Sequence, residues 1–168
     1  MSADPSDVRL KLMNKGDSNP AAQTYDLYIL KYTNGGSDVQ NSNIMVHRLS
    51  EAYLIAAEAA VKLSDNGKAV QYLDPIVNRA NPANNVTGTV TLTMVLDEKR
   101  KEFFGEGHRS FDLLRNNMKI IRTGPGHSDV MASWAAEIDW NQYRIVLPVP
   151  RHQMESNPNM VQNPGWGN

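Results

Sequence analysis

Three consecutive segments of this chain repeat apolar residues at intervals of three and four, and each closes on residues that stop a helix. Leu49, Ala52, Tyr53, Ala56, Ala60 and Leu63 form the first such face, and Asp65-Asn66-Gly67 ends it. Ala69, Val70, Leu73, Ile76, Val77 and Ala80 form the second, which Asn81-Pro82 ends. Leu92, Val95, Leu96 and Phe103 form the third, over a helix from about 92 to 104. Gly105 and Gly107 bracket Glu106 after it, which suits a helix stop with backbone at positive φ. Pro75 lies inside the second segment and predicts a kink or division near Asp74. The first two helices form a single repeat-like pair, which cannot bury both its faces alone. It expects a neighbour, either the third helix or segments upstream.

The third helix runs directly into the densest charge of the chain. Glu98 and Glu102 lie one turn apart, Glu106 continues the row, and Lys99, Arg100 and Lys101 lie between them. A second short helix from about Arg109 to Arg115, with Phe111 and Leu114 inward, would turn back after Gly107. That hairpin places Glu102 and Glu106 near Arg109, and Asp112 near Arg115 or Arg109. The reading is an ion-pair corner built from Glu98, Glu102, Glu106, Arg109, Asp112 and Arg115. The competing reading is a pair of catalytic carboxylates of the glycoside-hydrolysing kind. The surplus of cations favours paired, ionised carboxylates and implies no acid with a raised pKa, which argues for the corner.

Other chemistry finds little support. The 168 residues carry a net charge of −1, so no basic excess awaits nucleic-acid phosphates. With no cysteine, disulfides, thiolate zinc sites and thiol nucleophiles are excluded. The four histidines, His47, His108, His127 and His152, show no H-E-x-x-H spacing. His47 and Glu51 lie one turn apart, too few ligands for a metal site. Ser110 has no G-x-S-x-G elbow, and neither Gly35-Gly36 nor Gly124-Pro-Gly126 follows a strand and opens a helix. Neither metal nor cofactor is expected. No apolar run is long enough to span a bilayer, and no apolar stretch near Met1 reads as a secretory signal.

The rest of the chain reads as loops with few strands. Residues 1 to 24 are polar and irregular, with a turn at Asp17-Ser-Asn-Pro20. Tyr25 to Thr33 suggests a strand, and Asn34-Gly-Gly36 to about Ser42 a loop. The helical block spans 44 to 115. The tail from 116 to 168 is loop-rich, with one strand candidate at Tyr143 to Val149. The whole reads as one domain. Trp134, Trp140, Asn141 and Tyr143 are candidate ligand contacts, because sugars stack on aromatic faces and amides bond their hydroxyls. The alternative is that these aromatics cover the helical core beneath a long loop.

Three ordered motifs resemble the SusD/RagB family of outer-membrane nutrient-binding lipoproteins. The family's E-R-x-x-E-L-x-x-E-G helix, followed by R-x-F-D-L-x-R, is matched by Glu98, Glu102, Glu106, Gly107, Arg109, Phe111, Asp112, Leu113 and Arg115. Lys99 stands where Arg is usual, Phe103 where Leu is usual, and Asn116 where an aromatic residue is common. Arg48-Leu-Ser-Glu51-Ala-Tyr53-Leu54-Ile55-Ala-Ala57-Glu58-Ala59 resembles the family's R-x-x-E-x-Y-L-I-x-A-E-A helix. Leu147-Pro-Val-Pro150 and Asn157-Pro-Asn-Met-Val-Gln162-Asn163-Pro-Gly165-Trp166 resemble its closing motif, with Trp166 replacing Tyr. Asp7-Val-Arg9-Leu10 and Lys31-Tyr32 are similar to two shorter family elements, so the likeness spans about residues 7 to 166.

The resemblance implies a mainly α fold: tetratricopeptide-like helix pairs, long loops and one or two short β-strands. It implies the C-terminal part of a longer cell-surface lipoprotein. Such a protein binds a glycan or another polymeric nutrient and delivers it to a SusC-like TonB-dependent transporter. It would be no enzyme, would bind no nucleic acid, and would meet the membrane through a lipid anchor that this chain does not carry. In the family the glycan platform lies mostly upstream, so this part would be mainly scaffold. A tetratricopeptide-like interaction module without nutrient binding is the alternative reading.

Overall fold

The computed structural model describes residues 4–15, 27–32, 46–122 and 136–167. The turn expected at 17–20, the loop at 34–42, Gly124-Pro-Gly126, His127 and Trp134 lie outside them. The fold is mainly helical, and the chain divides into two compact units, Met1–Arg109 and Ser110–Asn168.

In the first unit a 3-10 helix at Val8–Leu12 leads into β1 (Met13–Lys15), which pairs antiparallel with β2 (Leu27–Ile29). The segment expected to be irregular therefore holds a strand. The strand expected across 25–33 is shorter, because a 3-10 turn at Leu30–Tyr32 ends it. Helices α1 (Leu49–Lys62), α2 (Asn66–Ala80) and α3 (Leu92–Glu102) follow. Asp65 caps α2 by accepting from the Lys68 amide at 3.0 Å, and Thr91 caps α3 by accepting from the Met94 amide at 3.2 Å. Two side chains of α2 hold the crossover to α3. Asn66 accepts from the Val90 amide at 2.8 Å, and Asp74 accepts from the Val86 amide at 2.7 Å.

Pro75 does not divide α2, which runs unbroken from Asn66 to Ala80. Pro75 and Gln71, four residues before it, are both exposed, so water can satisfy the carbonyl that the missing N–H leaves free.

The core joins α1 and α2 to α3. Leu54, Ala57 and Ala60 meet Ala69, Leu73 and Ile76, and Val90, Val95 and Phe103 complete the cluster. Tyr53 sets its ring edge-on to Tyr72 at 6.2 Å. The face expected for α1 is partly wrong: Leu49 and Leu63 are 74% and 80% exposed, and Leu54 and Ala57 are fully buried in their place. Periodicity could not choose between the two sides, because α1 is apolar on both. The buried ion pair of Glu58 with Lys99 of α3, at 2.7 Å, marks the inner side.

Helix α4 (His108–Leu114) follows the turn at 103–107 and crosses the division between the units. Its inward residues are Asp112 and Leu113, while Phe111 is 74% exposed, opposite to expectation. In the second unit β3 (Ile120–Ile121) pairs antiparallel with β4 (Glu137–Ile138). The strand expected at Tyr143–Val149 is absent: Tyr143–Ile145 form a 3-10 turn, and α5 (Arg151–Ser156) begins soon after.

The burial pattern sets a stability contrast. Leu73→Ala, at a position 1% exposed, should cost about 2–5 kcal/mol. Leu49→Ala should stay within about 0.5 kcal/mol. Denaturant unfolding of the two variants measures the difference.

Candidate functional site

The charged corner closes around one carboxylate. Glu102, at the last turn of α3, is 3% exposed. Its Oε1 accepts from Arg48 Nη1 and from Arg79 Nη2, each at 2.6 Å. Its Oε2 accepts from Arg9 Nη1 at 3.3 Å. Its backbone carbonyl, left without an intrahelical partner by the helix end, accepts from Arg48 Nη2 at 2.6 Å and Lys31 Nζ at 2.8 Å. Lys31 and Arg48 both bond Glu106 as well, Arg48 through Nη2 at 2.8 Å and Nε at 3.2 Å. Arg9 also reaches Glu98 at 2.6 Å and holds Asp7 in a two-pronged pair at 2.9 and 2.7 Å.

Backbone geometry brings these groups together. Gly105 and Gly107 have φ of +77° and +78°, conformations that a side chain strains. The turn they form returns Glu106 beneath Glu102. A Cβ on Gly105 would lie 3.1 Å from Ile29 Cδ1, so the glycine also admits β2 close to the corner. Arg48 lies over the Phe103 ring at 5.0 Å, and Phe103 stacks on His108 at 4.7 Å.

The electrostatics are those of paired, permanently charged groups. Burial pushes the Glu102 carboxyl up, but the Arg48 hydrogen bond and the charges of Arg79 and Arg48 outweigh it and hold the group below its ordinary 4.5. Burial likewise pushes Asp7 up, and Arg9 brings it below the ordinary value. Burial draws the Arg48 guanidinium down, and its bonds to Glu106 and Glu102 raise it further. Such a carboxylate is poorly suited to donate a proton, because its environment favours the ionised form.

The six corner residues named from sequence separate into different roles. Glu98, Glu102 and Glu106 sit in one network. Arg109 does not serve them: it donates to the Leu96 carbonyl at 3.0 Å and stands 3.8 Å from Asp97. The guanidinium between Glu102 and Glu106 belongs to Arg48 instead. Asp112 accepts from Arg115 Nη2 at 2.6 Å, within the second unit. The missed members are Arg9, Lys31, Arg48 and Arg79. Their signal was present in the D-V-R-L, K-Y and R-L-S-E elements, which supply three of these four cations.

In the second unit Trp140 is 48% exposed and Asn141 is exposed. Tyr143 is half-buried: it meets Trp166 edge-on at 5.2 Å, and Arg144 lies over its ring at 4.7 Å. Trp134 lies outside the described residues. The closing segment ties itself to the stretch after Tyr143. Gln162 accepts from the Val149 amide at 2.7 Å and donates to its carbonyl at 3.0 Å. Asn163 donates to the Leu147 carbonyl at 2.6 Å, and Trp166 Nε1 to the Val146 carbonyl at 2.9 Å. These side chains occupy the backbone groups that a strand partner would use, which explains the missing strand. Among the described residues no group of three His, Asp or Glu side chains could hold a metal ion. Among them, too, no helix is long and apolar enough to cross a membrane.

Comparison with known proteins covers nearly all of this geometry. The model of the SusD family matches residues 5–166. The starch-binding protein SusD of Bacteroides thetaiotaomicron is 32% identical over 158 residues, which is 85% of this chain and 26% of that protein. The SusD-like protein P25 of Formosa agariphila is 27% identical over 149 residues, 78% of this chain and 27% of its own length. A crystal structure of a SusD superfamily protein from Bacteroides thetaiotaomicron superposes with a TM-score of 0.86 at 39% identity, covering 96% of this chain and 38% of that one. One from Bacteroides vulgatus gives 0.83 at 43% identity, covering 99% and 37%. The chain thus spans about a quarter of the curated relatives it matches.

Two measurements test the corner. Arg48→Ala should cost about 1.5–3 kcal/mol because it removes charge-assisted bonds to the buried Glu102 and the part-buried Glu106 together, whereas Arg79→Ala, whose side chain is 58% exposed, should cost under about 1 kcal/mol. Thermal unfolding compares the two. The depressed Glu102 value adds stability that is present above the ordinary 4.5 and lost as pH falls through the folded-state value. The stability gap between wild type and Glu102→Gln should therefore be widest near neutrality and shrink progressively as pH falls below the ordinary 4.5.

Proposed function

We propose that this chain, which belongs to the SusD family, is part of a cell-surface protein that binds a glycan or other polymeric nutrient and passes it to a SusC-like TonB-dependent transporter. On this reading the whole protein is an outer-membrane lipoprotein, and the residues described are mainly scaffold. The observation that carries the reading is the family match over residues 5–166, with a curated starch-binding relative at 32% identity. The chemistry of the corner agrees with binding over catalysis. Its buried carboxylate is held ionised, and its cations point inward to protein acids.

The tetratricopeptide alternative explains only α1 and α2. The family match also takes in the Asp7-Arg9 element, the β1–β2 ladder and the tail clamp at 162–166, which that alternative leaves without a role.

Trp140, Asn141 and Tyr143, with Trp134, are the residues of this part that offer sugar contacts. Tyr143 has one ring edge committed to Trp166 and one face to Arg144, so Trp140 is the freer stacking surface. One aromatic face with a few amide bonds gives little net affinity after ordering costs. Calorimetric titration of these 168 residues against a glycan panel should give dissociation constants of about 1 mM or weaker, near 4 kcal/mol, and Trp140→Ala should change them little. Micromolar binding that Trp140→Ala abolishes would move the ligand site into this part and overturn the scaffold reading.

A further inference from the structure

The crossover from α2 to α3 is tied down at its far end by one side chain. Asn66, the first residue of α2, donates from Nδ2 to the Gly88 carbonyl at 3.0 Å and accepts at Oδ1 from the Val90 amide at 2.8 Å. A second tether lies a few residues back, where Asp74 takes the Val86 amide at 2.7 Å. The side chains of Val86 and Val90 rest on the core, but Thr87, Gly88 and Thr89 between them are exposed. A Cβ on Gly88 would meet nothing within 4 Å. Packing therefore leaves this stretch free, and the two side-chain tethers fix its backbone.

Asn66 is followed by Gly67, and both are exposed. In an Asn-Gly pair the following backbone nitrogen reaches the side-chain carbon most readily, because glycine has no Cβ to obstruct the approach. The nearest atom to a Cβ on Gly67 would be Asp65 Oδ1, at 3.7 Å, so the approach is open here as well. The Gly67 nitrogen also lies in the first turn of α2, where amides have no carbonyl of their own helix to bond. Nucleophile and electrophile are both present. What holds them apart is the pair of bonds from the carboxamide to Gly88 and Val90.

We propose that Asn66 is a deamidation site that works as a one-way latch on the crossover. When residues 86–90 let go, the Gly67 nitrogen bonds to Asn66 Cγ and the Cγ–Nδ2 bond breaks. Ammonia leaves with the proton of the Gly67 amide, and a cyclic imide remains. Water then opens the imide at one of its two carbonyls, giving aspartate or isoaspartate. Neither product restores the tether. An aspartate at this position has no donor for the Gly88 carbonyl and sets a charged oxygen against it. An isoaspartate adds a main-chain carbon at the start of α2, which shifts Asp65 from the Lys68 amide that it caps at 3.0 Å. The opening that permits the reaction is thus made permanent by it.

The chain's other Asn-Gly pair is first removed by Asn34→Gln, so that one site of this kind remains. This 168-residue protein is then held at mildly alkaline pH, folded and in urea. Mass spectrometry follows the tryptic peptide Leu63–Lys68, which has no other side-chain amide. Deamidation should run roughly tenfold or more slower in the folded chain than in urea, the protection given by a closed tether. Gly88→Ala strains a backbone at φ +78° without a clash. It should raise the folded-state rate severalfold and leave the rate in urea unchanged. Asp74→Ala frees the Val86 amide and should act in the same direction, which keeps the test intact if Gly88→Ala does not fold. The deamidated chain, separated by its added negative charge, should exchange the amides of residues 86–90 severalfold faster than the unmodified chain. Equal deamidation rates folded and in urea overturn the proposal, as does a folded-state rate that neither loosened variant raises. Exchange at 86–90 that deamidation leaves unchanged overturns the latch.

Discussion

The carboxylate of Glu102 is the point on which the first unit depends. Removing a carboxylate from water costs several kcal/mol, and a single ion pair seldom repays it. Here Arg9, Arg48 and Arg79 all reach its oxygens, and Lys31 and Arg48 take the backbone carbonyl of the same residue. Each cation comes from a different part of the chain: the first 3-10 helix, the turn after β2, the start of α1 and the end of α2. The observed arrangement of those segments brings all four cations to the one residue. The network thus specifies the fold more than it adds net stability, because a misplaced segment strands a buried charge.

This explains which features the sequence disclosed. Helix α3 and the Gly105–Gly107 turn were readable because their causes are local: an apolar 3-4 spacing and two glycines at positive φ. Glu98, Glu102 and Glu106 were readable as a row for the same reason. Their partners were not. Proximity along the chain favoured Arg109, three residues past Glu106, but the cations that reach Glu102 and Glu106 lie 23 to 93 positions away. Their sign was a set of short elements, D-V-R-L, K-Y and R-L-S-E, that had no evident role until the carboxylates gave them one. The face of α1 failed for another reason. Two apolar sides give two acceptable registers, and Glu58 pairing with Lys99 of α3 selects between them.

The tail shows side chains doing backbone work. Tyr143 to Val149 looks like a strand by composition, but a strand needs a neighbouring backbone. Gln162 supplies both a donor and an acceptor to Val149, and Asn163 and Trp166 serve Leu147 and Val146. Gly165, at φ +87°, is the hinge of this clamp. A Cβ there would fall 2.6 and 2.8 Å from Tyr143 side-chain carbons, so the residue before Trp166 has to be glycine for the indole to reach its acceptor. The N-P-G-W ending is therefore a packing requirement, and the rings of Trp166 and Tyr143 pack against each other within it.

Polar and apolar groups are treated unequally in the first unit. Its buried carboxylates at 7, 58, 98 and 102 are bonded within the unit, and Glu102, which takes three guanidinium groups, is held ionised. Its apolar surface is in surplus: Leu49, Ile55 and Leu63 all lie open on one helix. An active site would show the reverse, with a charge poised near neutrality and facing a cleft. Satisfied charges, with the best-paired carboxylate held ionised, agree with a structural role for the corner. That physical asymmetry, more than any single residue, supports the reading of this part as scaffold within a larger binding protein.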